Sequence, residues 1–137
     1  MHIDINDNTS LKEIQKVFSD FYPYLRIEFY RKSHKKYEAS AENDLIKADT
    51  TVGHFKKTHV SGLLEMLPLF KISDVEEEFQ RRFGLSAQIF RMEKNGWEQT
   101  TGMDDFTLKD VNEMGRNSSD EYIMEDYEEG IEEGEAP

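Results

Sequence analysis

Leu85-Ser86-Ala87-Gln88-Ile89-Phe90-Arg91 restates Leu25-Arg26-Ile27-Glu28-Phe29-Tyr30-Arg31, sixty residues upstream. In each stretch every second residue is apolar, the period-two pattern of a strand with one face in a core. Tyr30 and Phe90 occupy matching positions and point away from that core. Further upstream the match continues with an offset of 61: Ile3, Ile5, Leu11, Ile14 and Phe18 against Leu64, Met66, Ile72, Val75 and Phe79. One residue therefore drops out between the second helix and its strand. Each half reads strand, helix, strand.

Local signals agree. Ser10-Leu11-Lys12-Glu13 and Ser73-Asp74-Val75-Glu76 both fit a capping box, in which a hydroxyl and a carboxylate satisfy free N–H groups at a helix start. Leu11, Ile14, Val17, Phe18 and Phe21 form one helical stripe, closed by Pro23. Gly84 suits the left-handed terminator of the second helix. Asn95-Gly96 is a strong hairpin signal, so Trp97–Thr101 pairs back on the preceding strand. A helical turn around Val52 and Phe55 and a short helix over Thr107–Met114, stopped by Gly115, complete the reading.

Two strand-helix-strand units side by side predict an α+β fold: a ferredoxin-like βαββαβ sandwich with an added C-terminal hairpin strand and short helix. Strands one and three would take the centre of its sheet, with strands two and four at its edges. Residues 1–116 form one domain on this reading. Residues 117–137 carry nine acids and no Lys or Arg. With few apolar side chains to offset ordering entropy, they read as a disordered acidic tail.

The net charge of −12 sits mostly in that tail. Through Arg116 the balance is 17 Lys and Arg against 20 Asp and Glu, or −3. No apolar run approaches the roughly 18 residues needed to cross a bilayer. The absence of cysteine excludes disulfides and thiolate sites. No membrane association is expected, and a cytoplasmic setting is the expectation.

No catalytic constellation, metal set or cofactor motif emerges. The histidines lack metal-site spacing, and no Gly-rich nucleotide loop is present. Asp104-Asp105 before a helix favours the turn and the helix dipole; the alternative is a small-molecule-binding sensor or enzyme that uses Asp104, Asp105 or His54 in a pocket between sheet and loops. Arg31, Lys32, Lys35 and Lys36, flanked by Tyr30 and Tyr37, could suggest RNA. A net negative body and tail oppose phosphate binding. A nucleic-acid surface masked by the tail is the variant of that idea worth testing. The candidate interaction residues are Tyr30, Phe90 and Trp97 on the sheet, with Arg31, Lys32, Lys35 and Lys36 at its margin.

Phe83-Gly84-Leu85, Gln88-Ile89-Phe90-Arg91, Trp97, Thr100-Thr101 and the later Asp104-Asp105-Phe106-Thr107-Leu108 resemble an uncharacterised family of small bacterial proteins. The family has no assigned activity, so the resemblance implies a folded domain and transfers no site residue. The expected function is a non-enzymatic protein-interaction or scaffolding domain. It would use its sheet face or an edge strand, with an unknown protein or a second copy as partner.

Overall fold

The computed structural model describes residues 1–31, 44–55 and 62–118, with Phe55 as backbone only. Strands β1 (His2–Ile5), β2 (Leu25–Tyr30), β3 (Gly62–Glu65), β4 (Ser86–Glu93) and β5 (Gly96–Gln99) alternate with helices α1 (Leu11–Phe21), α2 (Val52–Phe55) and α3 (Ile72–Phe83). Helix α4 spans residues 108–118. The described residues form an α+β fold with two antiparallel sheets, and no described helix is long and apolar enough to cross a membrane.

The start of α1 follows its sequence signal. The Ser10 hydroxyl accepts the Glu13 N–H at 3.1 Å. For α3 the signal is displaced by two residues. The N-cap is Lys71, whose N–H donates to the Asp74 carboxylate at 2.9 Å. Ser73 lies inside the first turn, because Ile72 is needed in the core. Ser10 and Lys71 are 61 apart, so the helix starts obey the offset of the apolar stripes. At the other end Gly84 takes φ 63°, and its N–H bonds back to the Gln80 carbonyl.

The ferredoxin-like strand order is corrected. β1 pairs with β3 as that order requires, but β2 and β4 are direct neighbours in a separate β2-β4-β5 sheet instead of lying at opposite edges. The continuous register of Leu25–Tyr30 against Ser86–Arg91 holds β2 on β4, and matched alternation permits it. Leu25, Ile27 and Phe29 stand opposite Arg91, Ile89 and Ala87, so both strands turn their apolar side chains to one face. A one-residue slip would carry all of them to the other side. The outer carbonyls of β2 are also occupied. Leu25 accepts from the Ser19 hydroxyl, Ile27 from Gln15 Nε2 and Phe29 from the Ile46 N–H. β2 therefore has these three outer carbonyls taken up by neighbouring groups.

The repetition runs further than the sequence pattern reveals. In the first half Leu11 N–H donates to Thr50, Lys12 N–H to Ala48, Val52 N–H to Thr9 and Gly53 N–H to Asp7. In the second, Ile72 N–H donates to Phe106, Ser73 N–H to Asp104, Leu108 N–H to Phe70 and Lys109 N–H to Pro68. These four bonds correspond one to one. The Thr51 hydroxyl accepts the His54 N–H, and the Thr107 hydroxyl likewise accepts the Asp110 N–H. Leu45 bridges to Tyr30 as Gln99 pairs with Phe90. The α2 turn is thus the counterpart of the start of α4, and each half is strand, helix, strand, returning edge, helix.

Phe18, Phe29, Phe79 and Phe83 are fully buried, together with Leu11, Ile14, Ile27, Leu64, Ile72 and Ile89. Each such side chain contributes about 1.5–3 kcal/mol by leaving water. Phe79 holds the aromatic centre together, with ring centroids 5.0 Å from Phe29 and 5.9 Å from Phe83. Gly115 does not stop α4, which runs on to residue 118. The glycine is there for contact: a Cβ would sit 2.8 Å from Tyr24 Cβ and 2.9 Å from its carbonyl oxygen. The tail expected over 117–137 lies outside the described residues from 119 onward, and Asn117 and Ser118 belong to α4.

Candidate functional site

Strand alternation places Arg26, Glu28 and Tyr30 of β2 on the face opposite the core. Their partners Phe90, Gln88 and Ser86 of β4 share that face. On β5, Trp97 pairs with Met92 and Gln99 with Phe90, which brings the tryptophan alongside the same row. The outcome is one open cluster. The Arg26 guanidinium lies 5.9 Å from the centroid of the Phe90 ring and 6.0 Å from that of Trp97. Both separations are within the range of cation–π attraction.

The arginine is held from below. Its Nε and Nη2 donate to Glu28 Oε1 at 3.0 and 2.6 Å. The other Glu28 oxygen accepts Gln15 Nε2, at 3.1 Å, from α1. Gln15 also donates to the Ile27 carbonyl at 3.0 Å. Helix, strand and carboxylate therefore fix the cation over the rings, while its side chain stays 47% exposed. Among the described residues Nη1 has no acceptor. A groove of about 320 Å³ runs from Arg26 and Glu28 along Gln15 to Lys12 and Lys16 of α1. Lys16 pairs with Asp20 at 3.2 Å. Such an arrangement offers ring faces for apolar groups and guanidinium N–H groups for a carboxylate.

The sequence-derived residues separate into three groups. Phe90 and Trp97 meet, and Trp97 is 37% exposed. Tyr30 shares their face but is buried, so it takes no part in the open cluster. Arg31 is exposed and its N–H donates to the Asp44 carbonyl. Lys32, Lys35 and Lys36 lie outside the described residues. His54 is exposed on α2, Asp105 is exposed, and Asp104 is buried where its carbonyl accepts the Ser73 N–H at the start of α3. Among the described residues no three His, Cys, Asp or Glu side chains converge as a metal set. Sequence reading missed Arg26, Glu28 and Gln15. The legible signal was a pair of opposite charges two apart on the outward side of a strand; the Gln15 contact depends on how α1 lies across β2.

Comparison of the chain with models of protein families, with curated proteins and with solved structures finds no match.

Proposed function

We propose that the chain is a non-enzymatic protein-interaction domain that uses the outer face of the β2-β4-β5 sheet around Arg26, Phe90 and Trp97. The observation that carries this reading is the exposed guanidinium held over two aromatic rings by the Glu28–Gln15 relay. Tryptophan and arginine dominate binding energy at protein interfaces, because each combines a large contact area with directional polar groups. The partner that fits is a segment bearing carboxylates beside aromatic or aliphatic side chains. The reading carries with it a cytoplasmic setting and the likeness to the small bacterial proteins.

The test is a peptide selection on the full chain, followed by affinity measurement with Arg26→Ala and Trp97→Ala. Selected peptides should combine acids with aromatics. Each substitution should weaken them at least about tenfold, which corresponds to about 1.4 kcal/mol. Equal affinity for wild type and both variants, with unchanged melting, would remove this face from the function.

A further inference from the structure

We propose that the occupant of the Arg26–Phe90–Trp97 face within the free protein is the chain's own acidic C-terminal segment, residues 119–137. This rests on the interaction reading above and gives that surface a built-in competitor. Three observations converge on it.

The first is where the described chain ends. At Gly115, α4 is packed so closely that a Cβ would lie 2.8 Å from Tyr24 Cβ and 3.4 Å from Arg91 Cγ. Tyr24 precedes the Leu25–Arg91 pair, and the next pair is Arg26 with Phe90. The described part of the helix extends three residues beyond this contact. The segment that follows therefore begins beside the end of the sheet that carries the cluster. At up to about 3.5 Å per residue, its length exceeds the distance across a domain of this size.

The second is composition. Asp120-Glu121-Tyr122-Ile123-Met124-Glu125-Asp126-Tyr127-Glu128-Glu129 interleaves acids with aromatic and aliphatic side chains. This is the chemistry an exposed guanidinium over two rings selects. The third is charge. The groove beside the cluster holds Lys12, Lys16 and Arg26 against Asp20 and Glu28, a local excess of one positive charge. The segment holds nine acids and no base. Tethering turns a weak contact into an intramolecular one at an effective concentration on the order of millimolar.

Trp97 is the only tryptophan, so it reports on this face alone. The experiment compares the unmodified full chain with a full-length variant whose Asp120, Glu121, Glu125, Asp126, Glu128 and Glu129 are replaced by Asn or Gln. Neutralisation should shift Trp97 emission to the red and raise its quenching by acrylamide. Raising salt to about 1 M, where screening reaches about 3 Å, should do the same to the unmodified chain. Arg26→Glu should release the segment, and adding Glu125→Lys with Asp126→Lys should restore it. Identical Trp97 emission and quenching in the unmodified and neutralised chains would overturn the proposal. So would a difference that depends on protein concentration, since a second copy would then supply the acids. Should the neutralised variant lose its melting transition, the salt titration of the unmodified chain decides. Trp97 insensitive to the segment yet required for peptide binding would leave the interaction surface standing and remove only its competitor.

Discussion

Glu28 and Gln88 face each other across the junction of β2 and β4, and they also hold the same position in the two halves of the chain. Ile3 and Leu64 do the same between β1 and β3. Two antiparallel strands related by a twofold rotation contain one such self-equivalent pairing. Both sheets therefore obey a single pseudo-twofold relation, with an offset of 61 in one and 60 in the other. The relation is obeyed with β2 and β4 as neighbours, and it makes paired expectations possible.

Phe18 and Phe79 are counterparts, both fully buried. Phe18→Ala and Phe79→Ala should each destabilise the fold by about 3–5 kcal/mol, the range for a large aromatic removed from a packed core. Urea denaturation measures it. A loss below about 1 kcal/mol at either position would contradict the shared core.

Gly115→Ala should cost about 1–3 kcal/mol, because the new methyl meets Tyr24 Cβ and the Tyr24 carbonyl oxygen, and backbone yields less readily than a side chain. Stability equal to or above wild type would show that α4 does not lie this close to Tyr24. In an ordinary exposed helix position the same change is stabilising, so the sign alone is informative.

Tyr22 is buried, and its hydroxyl donates to the Met66 carbonyl at 2.7 Å. Burial pushes its pKa from 10.0 up to about 12. Above pH 10 the unfolded chain gives up this proton while the folded chain keeps it. The stability contribution is thus fully present below pH 10 and is lost as pH rises through about 12. Tyr22→Phe should flatten that alkaline decline. At neutral pH it should cost about 1 kcal/mol for the lost hydrogen bond. An unchanged slope between pH 10 and 12 in denaturation curves would refute the assignment.

Ser10→Ala and Asp74→Ala each remove the side chain that satisfies an N–H at a helix start. Each should cost about 1 kcal/mol. Ser73→Ala, by contrast, should leave stability within about 0.5 kcal/mol, as a surface change away from a cap does. A larger loss at Ser73 than at Asp74 would restore the helix start read from the sequence.

Much of this architecture was legible in the chain because it is local. Helical stripes, strand alternation, Pro23, Gly84 and Asn95-Gly96 act over a few residues, and they locate α1, β2, α3, β4 and the β4–β5 hairpin. Matching Leu25–Arg31 with Leu85–Arg91 identified the two halves. What the pattern could not decide is which strand borders which. The same alternation serves a ferredoxin-like sheet and the β2–β4 pairing equally well, and strand order depends on contacts between residues some sixty positions apart. The candidate site divides in the same way. Outward positions of Phe90 and Trp97 follow from period-two geometry. The burial of Tyr30, the Gln15–Glu28–Arg26 relay and the close approach at Gly115 arise only when helices and sheets are packed against one another.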